Sequence, residues 1–208
     1  RDYKVTGVQT CALPISMSSF LGHALIGLAI GDNAKAPEQS MKLGLLFALL
    51  AVGPDLDYLL LWGFGIHWEP RHTHSLAGAL LLGAVGLVVL RALLRAWPGW
   101  RLGLLILAAP LSRLLLDYLV GVHRNPLLWP LDPGLYAFDH GVLPSAGRIS
   151  LGNFYFWRNL GIELGILLPI ALLISARGRQ ALRKRPALAG VVVLCLLVCV
   201  GIGLGLRR

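Results

Sequence analysis

Long runs of apolar residues, separated by short polar stretches, dominate the chain. The sequence shows six such runs, at residues 18–31, 43–62, 75–90, 102–120, 159–176 and 187–206. Most approach the roughly 20 residues that a helix needs to cross a bilayer. The pattern therefore predicts an all-α, polytopic transmembrane bundle of about five or six membrane segments. The first run is short and rich in glycine, so we expect a tilted or partly inserted helix there, in close contact with its neighbours.

Composition supports the membrane assignment and changes the meaning of the charge. Hydrophobic residues make up 56% of the chain and charged residues 14%, against about 45–50% and about 25% in an average soluble domain. The net charge of +9 comes from Lys and Arg residues that cluster between the apolar runs. Such clusters mark cytoplasmic loops. The charge therefore indicates topology, and we expect no direct nucleic-acid partner.

The basic loops also orient the predicted bundle. They precede the second run, separate the third from the fourth, and separate the fifth from the sixth. Assigning these loops to the cytoplasm places residues 63–74 and 121–158 outside. The second of these stretches is punctuated by Pro and Gly, which predicts an ordered outer loop or cap. Residues 17–208 are expected to form one integral membrane domain.

Residues 1–16 differ from the rest of the chain. The stretch VTGVQTCALPI looks like the translation of a sequencing adapter. We therefore expect residues 1–16 to be a non-native tail, the natural chain to begin at Met17, and Cys11 to have no function. Without this tail, which carries two basic residues and one acidic residue, the net charge falls to +8.

Ionisable residues lie inside or at the rim of five of the apolar runs. The predicted topology brings them to one depth, at the outer leaflet. Carboxylates and imidazoles are costly in a bilayer and usually mark a functional site. The residues that share this depth are His23, Asp55, Asp57, His72, His74, Asp117 and Glu163.

The motif GPDLD, at residues 53–57, supplies two of these carboxylates. Residues two apart on a regular helix point roughly 200° apart. Pro54 removes a backbone donor and clashes with the preceding turn, which predicts a kinked or unwound turn here. Such a turn could direct Asp55 and Asp57 toward the same site.

The motif RHTHS, at residues 71–75, supplies two imidazoles. An extended segment would place His72 and His74 on one side, with Ser75 capping the helix that follows. Imidazole and carboxylate together suit a divalent metal ion, with zinc first and manganese or iron as alternatives. A metal with an open position would make hydroxide available near neutral pH.

Each of these residues also has a structural interpretation. His23 could be a hydrogen-bonded packing residue in an apolar helix. Asp55 and Arg113 could form a buried structural ion pair. His72 and His74 could be interfacial residues near the lipid headgroups.

Several blocks of the sequence resemble a known family. GHALIG, VGPDLDYL, RHTHSLAGALLLG and LLLDYLVG followed by PLLWP are similar, in order and spacing, to the YdjM-type family, over about residues 17–163. Its members are described as LexA-binding, inner-membrane-associated, metal-dependent hydrolases. The resemblance implies an inner (cytoplasmic) membrane location and, through that description alone, a LexA-like protein partner. It also implies metal ligands at His23, Asp55, Asp57, His72, His74 and Asp117.

The chain departs from the family pattern at two positions. The family often has His where this chain has Arg113, and it commonly has Arg-Gly where this chain has Arg71 directly before His72. Arginine stays protonated and cannot ligate a metal. It could bind a phosphate or clamp a carboxylate instead.

The preferred hypothesis is an integral membrane, metal-dependent hydrolase that acts on a lipid or lipid-linked phosphate or ester at the outer leaflet. Asp57 or Glu163 would be the general base on metal-bound water, and Arg71 or Arg113 would steady an anionic substrate. Asp117 would ligate the metal or orient a ligand. The alternative is a non-catalytic scaffold that binds a partner, or an ion- or proton-coupled transporter, in which the polar cluster is lapsed or structural.

Overall fold

The computed structural model describes residues 19–34, 40–57, 64–66, 70–120, 124–138 and 152–205. The predicted tail, Met17, the end of the second predicted segment and parts of the predicted cap lie outside the described residues. The helices are α1 Phe20–Gly31, α2 Ser40–Val52, α3 Leu76–Leu94, α4 Trp100–Val120, α5 Phe154–Ile174, α6 Ala176–Lys184 and α7 Pro186–Gly205. Two 3₁₀ turns, Gly53–Leu56 and His72–His74, lie between α2 and α3.

The predicted helical membrane bundle is confirmed. Helices α3, α4, α5 and α7 are long and apolar enough to cross a membrane, and α1 is a shorter apolar helix. The second predicted segment is not one continuous helix, because α2 ends at Val52 and the chain continues in a 3₁₀ turn that contains Pro54. Proline lacks the backbone donor that an α-helix would need at this point.

Helix α1 forms the centre of the bundle. It packs against α2, α4 and α5, and seven of its twelve residues are buried. Its glycines allow the close approach that the sequence predicts: a Cβ built on Gly27 would lie 2.6 Å from the carbonyl oxygen of Phe47 in α2. Helix α3 packs on α4, and α7 packs on α5.

Side-chain caps fix where several helices begin. Ser19 caps α1, Ser75 caps α3 as predicted, and Ser175 separates α5 from α6. Asn153 caps α5 by accepting a hydrogen bond from the backbone of Tyr155. Helix α5 therefore begins at Phe154, so the outer loop ends five residues before the predicted boundary of 158.

The two ends of the bundle differ in chemistry. Helices α3 and α4 are antiparallel neighbours, and the connection between them lies at one end of the bundle. Both this connection and α6 carry basic side chains. The start of α1, the turn after α2, the turn before α3 and the end of α4 meet at the opposite end. This opposite end contains the ionisable residues that the sequence predicts to share one depth.

Candidate functional site

Arg113, on α4, lies at the centre of a buried polar cluster. Its side chain is fully buried, and its two terminal nitrogens donate to both carboxylate oxygens of Asp55. Its Nε donates to Asp117 Oδ2 at 3.0 Å, one helical turn away, and its Nη2 lies 3.1 Å from His74 Nε2. This bidentate geometry is the arrangement in which arginine pairs most strongly with a carboxylate. One guanidinium therefore binds three of the predicted site residues.

The guanidinium also determines the tautomer of His74. Arginine has no acceptor, so His74 Nε2 must accept from Arg113 and the proton must reside on Nδ1. His74 Nδ1 lies 3.0 Å from Thr73 Oγ1, and that hydroxyl donates to Asp57 Oδ2 at 2.9 Å. Burial lowers the pKa of His74, which favours the neutral imidazole. A directed relay of hydrogen bonds therefore runs from Arg113 through His74 and Thr73 to Asp57.

Arg71 and Asp57 form the accessible rim of the cluster. Arg71 Nε and Nη2 donate to the two oxygens of Asp57 at 2.8 and 2.5 Å, and Nη2 lies 3.5 Å from Asp55 Oδ1. The side chains of Arg71 and Asp57 are 21% and 12% exposed, whereas that of Asp55 is buried. The unwound turn predicted at GPDLD is present, and both of its carboxylates reach Arg71.

His23 joins the central helix to the cluster. Its imidazole is fully buried on α1, and its Nε2 lies 3.4 Å from Asp117 Oδ1. Asp117 uses its other oxygen for Arg113. One carboxylate on α4 therefore contacts both α1 and the guanidinium.

The structure places His72 apart from the cluster. Residues 72–74 form a 3₁₀ turn rather than the extended segment expected from the sequence, so this expectation was wrong. With three residues per turn, side chains two apart diverge by about 120°. His72 packs its ring on Trp129, with centroids 4.4 Å apart, while His74 points into the cluster. Only one of the two predicted imidazoles therefore reaches Asp55.

Glu163 also lies outside the network around Arg113. Its Oε1 accepts from the backbone and hydroxyl of Ser19, at 2.7 and 3.1 Å. A carboxylate at the N-terminus of a helix is favourable, because the dipole is positive there. Gly22 permits this approach, since a Cβ at that position would lie 2.4 Å from Glu163 Oε1. The structure thus gives Glu163 a capping contact with α1.

Residues 124–138 form the described part of the cap. The backbone of Leu76 donates to the carbonyl of Leu127 at 2.8 Å, which fixes the cap beside the turn at residues 72–74. Asp132 accepts from the Tyr136 hydroxyl and from the Gly134 backbone, the latter at 2.9 Å, and these hydrogen bonds lower the pKa of Asp132. Sequence reasoning missed Trp129 and Thr73 as neighbours of the site. The aromatic character of Trp129 and the position of Thr73 between two histidines were the available signals.

The carboxylate and imidazole groups around Arg113 do not fit a divalent metal ion. Both oxygens of Asp55 and the Nε2 lone pair of His74 face the guanidinium of Arg113. A metal at this point would have to displace a fixed positive charge or bind beside it, at a large Coulomb cost in a buried site. Within the described ranges, no group of three or more His, Cys, Asp or Glu side chains has the geometry to hold a metal ion.

Comparison with known proteins gives one family match that covers most of the chain. A family model described as YdjM inner membrane protein matches residues 17–205. The matched range includes every residue of the polar cluster and all the helices described above. No curated protein and no solved structure matches the chain at a significant level.

Proposed function

The chain belongs to the YdjM inner membrane protein family, and from that premise we propose that it is a non-catalytic binding protein whose polar cluster is a fixed ion-pair network. It is a multi-pass protein of the inner membrane, as the family and the spanning helices show. The proposal concerns what the cluster does there. It selects the scaffold interpretation of the sequence over the hydrolase interpretation.

The position of Arg113 is the observation that carries the proposal. An arginine guanidinium is a fixed positive charge, and that of Arg113 takes up the acceptors that a catalytic metal would need on Asp55 and His74. Arg71 likewise occupies both oxygens of Asp57. The predicted general base at Asp57 therefore has both carboxylate oxygens engaged by Arg71 and Thr73, and it is poorly placed to take a proton from water.

A binding role also needs an accessible surface, and the cap supplies one. Leu131 is 92% exposed, and Leu128 and Leu135 are 39% and 48% exposed. Exposed apolar side chains that form one patch often mark contacts with a protein or a membrane, and these three lie within eight consecutive residues of the cap. The ion-pair network would hold the underlying turns rigid, so that the cap presents these leucines in a fixed arrangement.

Metal-dependent hydrolysis of a lipid-type substrate is the second candidate. It is favoured by the meeting of five of the six predicted ligands, His23, Asp55, Asp57, His74 and Asp117, at one end of the bundle. The partly exposed Arg71 would then face an anionic substrate. This candidate requires Arg113 to leave the centre of the cluster.

Metal content decides between the two candidates. The detergent-purified chain would be compared with three variants. Arg113→His introduces the residue that the resembling family often has at this position, His74→Ala removes the predicted ligand alone, and the third variant combines the two changes. Each protein would be dialysed against zinc or manganese and measured by inductively coupled plasma mass spectrometry. Turnover would be assayed on phospholipid and lipid-linked phosphate substrates.

We expect no stoichiometric metal and no turnover in the wild type. Arg113→His should gain metal because it removes the competing cation and adds an imidazole ligand, and His74→Ala should abolish that gain. Stoichiometric metal in the wild type, lost on His74→Ala alone, would refute the ion-pair proposal and establish the hydrolase candidate.

A further inference from the structure

A cavity of about 380 Å³ lies at the opposite end of the bundle from the polar cluster, between α1, the start of α2 and the end of α5. Leu28 and Leu168, which line it, are 46% and 48% exposed, so apolar side chains at the surface of the bundle border the cavity. Its mouth is polar and includes Asp32 and Arg177. Its apolar walls include Leu25, Leu28, Leu168 and Leu172.

The helix beside this mouth, α6, is strongly basic. Residues 177–185 contain four arginines and one lysine, and the sequence has no acidic residue after Glu163. Asp32 is acidic and lies at the mouth, where it accepts from Arg177 through the backbone nitrogen and Nε, both at 2.8 Å. Within the part of the chain that the structure describes, the five basic residues of 177–185 outnumber this carboxylate and place an excess of positive charge beside the mouth.

The basic residues of α6 divide into two groups. Arg179 donates to the carbonyls of Leu173 and Ile174 and to Asn33 Oδ1, so it ties α6 to the ends of α5 and α1. Arg177 keeps 78% of its side chain exposed although it pairs with Asp32. Lys184 is exposed and lies seven residues further on, which places it on the same helical face, about 10 Å away.

We propose that this cavity binds an anionic phospholipid from the leaflet at the basic end of the bundle. One acyl chain would occupy the leucine-walled cavity, and the phosphodiester would lie at Arg177 and Lys184. Guanidinium and ammonium groups beside an apolar groove match the two parts of such a lipid. A free phosphate ion would have no use for the leucine walls. The proposal is independent of the polar cluster at the other end.

Lipid retention tests the proposal directly. The full chain would be reconstituted in nanodiscs of phosphatidylcholine with a minor fraction of phosphatidylglycerol, and the retained lipids would be counted by native mass spectrometry. Gly44→Phe fills the cavity, because Gly44 lines it and a Cβ there meets nothing closer than Leu28 at 3.4 Å. Gly190→Phe is its control, since a Cβ on Gly190 of α7 meets open space.

A charge variant gives a second, independent arm. Arg177→Gln removes a positive charge at the mouth of the cavity. Two controls accompany it: Arg95→Gln removes a charge from the loop between α3 and α4 at the same end of the bundle, and Arg177→Lys keeps the charge at the mouth. One basic residue near anionic lipid is worth about a fivefold change in retention, which corresponds to about 1 kcal/mol.

We expect selective retention of phosphatidylglycerol by the wild type, Gly190→Phe, Arg95→Gln and Arg177→Lys. Gly44→Phe should lose it, and Arg177→Gln should weaken it about fivefold. Equal retention of the two lipids by the wild type would overturn the proposal, as would unchanged retention by a folded Gly44→Phe together with Arg177→Gln. Displacement of the bound lipid by excess inorganic phosphate would identify a phosphate site instead, and would also overturn it.

Discussion

Replacing Arg113 with alanine removes the positive charge at the centre of the polar cluster. The change leaves Asp55 and Asp117 buried without their main partner and leaves His74 Nε2 without its donor. Breaking a buried ion pair from one side costs about 3–5 kcal/mol. The unfolding equilibrium should therefore shift by roughly a hundredfold to a few thousandfold. Titration with sodium dodecyl sulfate in mixed micelles, followed by circular dichroism, measures this shift.

Arg101→Ala is the matched control, because Arg101 lies on the same helix but is exposed and contacts only the Trp100 ring among the interactions described for it, at 5.3 Å. We expect Arg101→Ala to lower the free energy of unfolding by no more than about 1 kcal/mol. Arg113→Met combined with Asp55→Asn and Asp117→Asn should recover most of the loss, since no uncompensated charge remains. The reasoning fails if Arg113→Ala costs no more than Arg101→Ala, or if the neutral triple variant is as unstable as the single one.

Three further substitutions follow from individual contacts, each measured by the same titration. Gly27→Leu should lower the free energy of unfolding by about 1–3 kcal/mol or more, because the new side chain meets the carbonyl of Phe47. Gly190→Leu is its control, since a Cβ on Gly190 meets nothing, and an equal loss in the two variants would contradict the close packing of α1. Ser75→Ala removes the side-chain cap of α3 and should lower the free energy of unfolding by about 1 kcal/mol. An unchanged free energy of unfolding would show that the cap contributes nothing. Thr73→Val interrupts the relay between His74 and Asp57 and should lose about 1 kcal/mol. ¹⁵N shifts of His74 should then still report the Nδ1–H tautomer, and the other tautomer would contradict the donor role of Arg113.

The features that the sequence predicted well depend on residues close together in the chain. The turn at Pro54 and the cap at Ser75 each follow from a few neighbouring side chains. The membrane helices follow from apolar length alone. The common location of His23, Asp55 and Asp117 was also predictable, because topology places one end of each helix at the same side of the membrane.

The remaining features depend on contacts between distant residues or on fine backbone geometry. The sequence allowed Arg113 either a substrate role or an ion pair, and the choice depended on how α4 faces the turn after α2. Glu163 was predicted as a general base, but its partner Ser19 lies 144 positions away. His72 and His74 were expected in an extended segment, which would place both imidazoles on one side. They lie instead in a 3₁₀ turn, and this change of backbone conformation points the two side chains in different directions.

The short length of α1 has a consequence for biogenesis. Its 12 residues span about 18 Å, well short of the roughly 30 Å of a bilayer core. Its first turn meets Glu163, near the middle of α5, and Asn33 just after its end donates to the Ile174 carbonyl at the end of α5. Helix α1 therefore depends on a groove whose last wall is synthesised more than a hundred residues later. We therefore expect its stable insertion to follow the synthesis of α5, although α1 precedes α5 in the chain.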